Sequence, residues 1–166
     1  MTERTQNDTK TIERIYVTYT RDVYQLAYRS TRNHADAEDV VQEVFMRVLQ
    51  KWRYFRGDSH VKTWILRIAQ NYIVDLARKR NLMERSWSTE VYQTPDVSMV
   101  SSVIEIDDML HSLSDRHRAV IVLRIMNDLS VADTAKALGC SEGMVRVDTH
   151  RAVRRLKRTL QEVDSM

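Results

Sequence analysis

Three glycines and one proline in 166 residues leave this chain almost without the punctuation that strands and tight turns require. An all-β architecture is therefore excluded and long helices are expected. Hydrophobic residues make up 43% of the composition and charged ones 30%, which supplies both a packed interior and a wetted exterior. The length admits one ordinary domain or two small ones. No stretch approaches the roughly 20 apolar residues of a membrane span, and the opening MTERTQNDTK is polar throughout, unlike a signal peptide. The single cysteine, Cys140, can form no internal disulfide, which suits a reducing compartment. The expectation is a soluble, cytoplasmic protein.

Apolar residues recur at helical spacing along most of the chain. Ile15, Tyr19, Val23, Leu26 and Ala27 mark a helix from Ile12 to about Arg32. Val40, Val41, Val44, Phe45, Val48 and Leu49 form one face of a second helix that starts near Ala35. The turn-forming segment from Phe55 to Ser59 interrupts the pattern. A third helix then runs from about Val61 to Arg80, with Trp64, Ile65, Ile68, Ala69, Tyr72, Ile73 and Leu76 inward. Between Leu82 and Ser102 the periodicity fades, and Pro95 lies here; the stretch reads as a linker with a transient turn around Trp87 and Tyr92. Beyond it, Ile104, Met109 and Leu113 mark a helix, and Ser114 caps the next, which carries Ala119, Val120, Val122, Leu123 and Met126. Ser130 caps a short helix with Ala132, Ala135 and Leu138, and Ser141 a long one reaching about Leu160. The expected fold is all-α: two small helical domains, residues 1–82 and 103–166, joined by a flexible linker over 83–102.

The net charge of +3 says less than its distribution. Asp36, Glu38, Asp39 and Glu43 crowd the second helix, whereas Arg146, Arg151, Arg154, Arg155, Lys157 and Arg158 load the last. In that last region Ala135 is a small residue inside one helix, Gly139 stands where a left-handed turn is cheap, and Val145 follows ten residues after Ala135 to bury the next helix. This spacing defines a helix-turn-helix. Its second helix turns Arg146, Val147, His150, Arg151 and Arg154 outward in some combination, and guanidinium groups there suit phosphates and guanine edges of duplex DNA.

Two other regions admit alternatives. Asp39, Gln42 and Glu43 share a helix face by their spacing, which is either a solvated surface or a contact for a basic protein partner. No histidine shares that face at ligand spacing, so no metal site is expected. Phe55, Trp64 and Tyr72 are interleaved with Arg56, Lys62, Arg67, Arg78 and Lys79, a mixture able to stack bases and hold phosphates. The spacing of Trp64 and Tyr72 favours the core for both. That leaves the polar loop Arg56-Gly57-Asp58-Ser59-His60 to surround a base swung out of its stack.

Taken together, four segments resemble the extracytoplasmic-function sigma factors of the sigma-70 family. They are Asp36 to Phe45, Phe55 to Ser59, Thr63 to Asn71, and the set Leu113 to Arg118, Val122-Leu123-Arg124, Leu129-Ser130, Gly139 to Gly143, Val145-Arg146 and His150-Arg151-Ala152. The resemblance covers nearly all of residues 12–160. It implies a non-enzymatic RNA polymerase subunit that directs the core enzyme to promoters and assists DNA melting. The acidic helix, with Asp36, Asp39, Gln42 and Glu43, would be the main contact with the clamp helices of the polymerase's largest subunit. The loop from Arg56 through Gly57, Asp58, Ser59 and His60 to Lys62 would read a flipped base of the minus-ten element, and Arg67 and Asn71 would hold the separated strand. The last helix, through Ser141, Arg146, Val147, His150, Arg151 and Arg154, would read the minus-thirty-five element as duplex. The implied partners are core RNA polymerase, promoter DNA and an anti-sigma factor, with no cofactor and no membrane insertion.

Some positions depart from that pattern. Met144 and Val147 replace smaller or hydroxylated residues, and Asp148 stands where a basic or small polar one is usual. An acid on a DNA-facing helix repels phosphate, so Asp148 is expected either to face away or to pair with Arg151 or Arg155. The competing class is an ordinary helix-turn-helix regulator whose first half dimerises or senses. A helical metal-dependent hydrolase would need a histidine–carboxylate cluster that the sequence lacks.

Overall fold

A computed structural model of the chain describes the backbone of residues 2–86 and 101–164 and the side chains of residues 8–80 and 106–162. Seven α-helices and no strand occur among the described residues: α1 Thr2–Thr31, α2 His34–Lys51, α3 Val61–Ser86, α4 Ser101–His111, α5 Asp115–Ile121, α6 Val131–Leu138 and α7 Glu142–Asp164. Residues 83–86 thus prolong α3 and residues 101–102 open α4, which shortens the expected linker at both ends. The expected turn around Trp87 and Tyr92 lies outside the described residues.

The first three helices pack on one another. Arg32, with φ +52, ends α1, and Asn33 caps α2 by accepting a hydrogen bond from the Asp36 amide at 3.0 Å. So short a connection makes α1 and α2 neighbours. Val23, Leu26, Val40, Val44, Val48 and Ile65 are completely buried between them and α3, the arrangement the periodicity predicts. Leu49 is the exception: assigned to the same stripe, it is 51% exposed.

In the second half, Ser114 and Ser130 cap α5 and α6 through the amides of His117 and Asp133, at 3.4 and 3.0 Å. The helix expected to run to Met126 does not stay α-helical. It passes into a π turn over Val122–Met126, where the Asn127 amide and side chain both donate to the Val122 carbonyl at 3.0 Å. The wider turn carries Met126 outward, to 39% exposure, instead of into the core.

The halves are not apart. α3 packs on α6, α1 meets α4 and α5, and one apolar cluster runs from Val23 and Ile65 to Leu110, Leu123 and Ala137. Arg29 pairs with Asp107 at 3.6 Å and Arg32 with Asp108 across this seam. His111 lies beside it. Burial, reinforced by Arg118 of α5 and Arg32 of α1 and opposed by Asp108 of α4 and Asp115 of α5, lowers its pKa to about 4. An unfolded histidine titrates near 6.5 and takes up its proton first, so folding stability falls as pH drops from about 6.5 toward 4. The thermal midpoint is expected to fall by about 2–4 °C for each kcal/mol so lost. In His111→Gln the pH 5 to 7 difference should shrink; an identical profile in both proteins would remove His111 as its source.

Candidate nucleic-acid and protein interfaces

The helix-turn-helix is assembled as its spacing predicts. Gly139, at φ +62, closes α6. The Cys140 amide returns to the Ala135 carbonyl at 3.0 Å and the Gly139 amide to Lys136 at 3.4 Å, a paired C-terminal cap that only a left-handed residue permits. Ser141 begins the next helix: its hydroxyl accepts from the Met144 amide at 3.3 Å. Val120, Ala135 and Val145 then form the small core that sets α6 against α7.

On the outer side of α7, Arg146, Val147, His150, Arg151 and Arg154 are all exposed. Arg146 is held to Glu142 at 3.0 Å, with both side chains at least half in solvent. Asp148 is the informative departure. It is 7% exposed and faces away from that surface, but its partners are neither Arg151 nor Arg155. Its carboxylate accepts from Arg116 Nε at 2.5 Å and lies 3.7 Å from His117 Nε2. Hydrogen bonding to Asp148 raises the Arg116 pKa. The acid therefore staples α7 to α5 and leaves the outer face cationic.

The acidic face of α2 divides. Asp39 and Gln42 are exposed, and Glu43 keeps 40% of its side chain in solvent while accepting from Arg47 at 2.7 Å. Asp36 is turned onto α3, where Arg80 holds it at 2.5 Å. Next to this face the sequence reading missed an apolar groove of about 520 Å³. Tyr16, Val17 and Leu49 contribute to it and are 47%, 80% and 51% exposed. The available signal was the excess of apolar residues in α1 and α2 over what one buried stripe needs.

The polar loop between α2 and α3 rests on aromatic rings. Phe55 lies 5.5 Å from Trp52 and 5.0 Å from Trp64 between ring centres. Trp64 and Tyr72 are half-buried against the core, as their spacing favours, and Arg47 covers the Tyr72 ring at 4.8 Å. This floor leaves Arg56, Gly57, Asp58 and His60 in solvent, with Ser59 half-buried. Gly57 adopts φ +75, a conformation that a side chain would resist. Lys62 is diverted to Asp22 at 3.3 Å. Arg67 and Asn71, one turn apart, are exposed on α3 on the surface that continues from the loop. Among the described residues, no group of three or more His, Cys, Asp or Glu could hold a metal ion, and no helix is long and apolar enough to cross a membrane.

Residues 15–82 match the family model for sigma-70 region 2, and residues 104–156 that for sigma-70 region 4. The ECF RNA polymerase sigma factor SigX of Bacillus subtilis is 33% identical over 92% of this chain and 84% of its own length. SigL of Mycobacterium tuberculosis, also an ECF RNA polymerase sigma factor, is 35% identical over 90% of this chain and 88% of its own length. Among solved structures, the sigma factor RpoE in complex with the anti-sigma factor NepR, from Bartonella quintana, aligns with a TM-score of 0.79 at 24% identity. It covers 92% of this chain and 98% of that one. CnrH, in complex with the cytosolic domain of CnrY, aligns at 0.71 and 23% identity over 93% and 90% of the two chains.

Proposed function

The chain belongs to the extracytoplasmic-function RNA polymerase sigma factors of the sigma-70 family, and from that membership we propose how its residues share the work of directing core polymerase to promoters and assisting DNA melting. Residues 1–82 form the unit that grips the polymerase and the minus-ten element, residues 83–102 link it onward, and residues 103–166 grip the minus-thirty-five element. Asp39, Gln42 and Glu43 present the polymerase-facing surface, with Asp36 anchoring the start of its helix through Arg80. Arg56 to His60 surround an extruded base, and Arg67 and Asn71 hold the strand that follows it. Arg146, Val147, His150, Arg151 and Arg154 enter the major groove, while Ser141 fixes the helix start.

The observation that carries this reading is the outward cationic face of α7, from which Asp148 is withdrawn by burial and on which Glu142 is paired with Arg146. Such a face attracts duplex DNA in any context. The acidic α2 on the same chain repels DNA, and so calls for a protein partner. We read the protein as a subunit with no reaction of its own, working in the cytoplasm where polymerase and promoters are. RpoE is bound by an anti-sigma factor, and an inhibitor of that kind is proposed for this chain as well.

Run-off transcription with core polymerase on a randomised promoter library tests the assignment. Defined start sites that depend on the protein are expected; none at any sequence would overturn it. On a selected promoter, Arg151→Ala should weaken duplex binding by about 1–3 kcal/mol. An unchanged footprint over the upstream element would mean that α7 docks through other residues.

A further inference from the structure

Between α2 and the polar loop, Trp52–Tyr54 form a single 3₁₀ turn, and the Phe55 amide closes it on the Trp52 carbonyl at 3.0 Å. Residues three apart eclipse in such a turn. Trp52 and Phe55 therefore share one side, their rings 17° from parallel, and both lie against Trp64 of α3. The two residues between them are left to point outward. Tyr54 is 65% exposed, the most open aromatic ring among the described residues, and anchored neighbours fix the backbone that carries it.

A single exposed ring is ordinary; the surroundings of this one are not. The Arg53 guanidinium lies 4.7 Å from the ring centre. A cation thus covers and steadies one face of the ring, and the other face is open to solvent. Lys51, Arg53 and Arg56 are exposed, and none enters an ion pair among the described residues. Over residues 51–60 these three cations stand against a single carboxylate, Asp58. An aromatic face bordered by unneutralised cations matches a nucleotide: the base stacks, and the phosphates beside it meet the charges. The same charges disfavour the basic protein partner that the acidic face of α2 calls for. Tyr54 also precedes Arg56 by two residues, which places it within about 7 Å of the loop, measured along the backbone.

We propose, resting on the loop assignment made above, that Tyr54 stacks on an unpaired base beside the one extruded into the Arg56–His60 loop. Arg53 backs the ring, and Lys51 and Arg56 lie toward the flanking phosphates. When one base swings out of its stack, its neighbour loses a partner and offers a bare face. In closed duplex both faces of every base are occupied, and Tyr54 has nothing to hold. The ring therefore favours the separated strand over the duplex. It does so whatever the base, since every base has such a face, and the choice of sequence is left to the loop.

Holoenzyme assembled from core polymerase and the full chain, bound to the non-template strand of a selected promoter, provides the test. With 2-aminopurine replacing each base of the melted segment in turn, stacking on Tyr54 should quench the emission at one position. Tyr54→Leu should restore that emission and weaken strand binding at least about fivefold, the lower end of what losing one aromatic–base stack costs. Tyr54→Phe should leave both unchanged. Neither variant should alter capture of core polymerase or the duplex footprint over the upstream element. Unchanged emission and affinity in Tyr54→Leu would overturn the stacking while the loop assignment stands. Loss of core capture in that variant would overturn it as well, because the ring would then face protein. Wild-type holoenzyme that binds the strand no better than core alone would overturn the loop assignment and the stacking with it.

Discussion

Reversing Asp39 and Glu43 together to lysine is expected to reduce capture of core polymerase by at least about 100-fold while leaving the chain folded. Both carboxylates lie on the open side of α2. Asp39 is exposed, and Glu43 is paired with Arg47, one turn along the same helix. A solvent-exposed pair of that spacing is worth about 0.3–0.5 kcal/mol, and Arg47 retains its position over the Tyr72 ring, so the fold loses little. At an interface the same change places like charges against a basic partner, which costs several kcal/mol, and about 2.7 kcal/mol already corresponds to 100-fold. A pull-down at near-physiological salt, with circular dichroism as the folding control, measures both halves of the statement. Asp36→Asn is the contrasting substitution: its carboxylate is engaged with Arg80, so it should alter stability more than capture. Undiminished capture by the double lysine variant would remove α2 as the polymerase-facing helix.

The parts legible in the sequence are those fixed by local rules. Ser114, Ser130 and Ser141 announce helix starts because a side-chain oxygen there satisfies an amide that the helix cannot. Gly139 announces a stop because its left-handed φ costs a glycine little. Ala135 and Val145 locate the helix-turn-helix because the close packing of α6 and α7 tolerates only a small residue opposite a buried one. What the sequence hid depends on partners distant along the chain. α3 also buries a second stripe, which contains Thr63 and Gln70, so a reading based on hydrophobic period passes over it, and with it the seam between the halves. The partners of Asp148 are 31 and 32 positions away, at His117 and Arg116, whereas helix spacing suggests only Arg151 and Arg155. The π turn after Ile121 follows from the bonds of Asn127 to Val122, which no apolar periodicity encodes. Leu49 and Met126 sit in phase with buried neighbours, yet once the helices are placed they remain 51% and 39% exposed.

Replacing Arg118 with methionine is expected to remove about 3–5 kcal/mol from the C-terminal half, the range seen when one member of a buried charged network is lost. Arg118 is only 8% exposed, and burial lowers its pKa. Its guanidinium donates through Nε to the Leu110 carbonyl and through Nη2 to the Leu113 carbonyl, both at 3.1 Å, and through Nη1 to Asp115 at 3.3 Å. It thereby adds a second bond to the Leu110 carbonyl, which also accepts from the Leu113 amide at 3.1 Å, supplies the Leu113 carbonyl, and ties both to the start of α5, a task for a planar fork with several donors. Methionine fills much of the volume but donates nothing; the Leu110 carbonyl keeps the Leu113 amide, whereas the Leu113 carbonyl left dry costs about 1–3 kcal/mol, to which the lost charged bond to Asp115 adds. A unit of some 60 residues has roughly 3–9 kcal/mol in total, so the substitution consumes much or all of it. Lysine keeps the charge but loses the fork, and should fall between the two. In urea, the methionine variant should lose the C-terminal structure at a much lower midpoint. Duplex binding should go with it, while the N-terminal helices and capture of polymerase through Asp39 and Glu43 persist. An unchanged midpoint would mean that α4 and α5 are held by apolar contact alone, and that the buried guanidinium is incidental to the fold of the DNA-reading half.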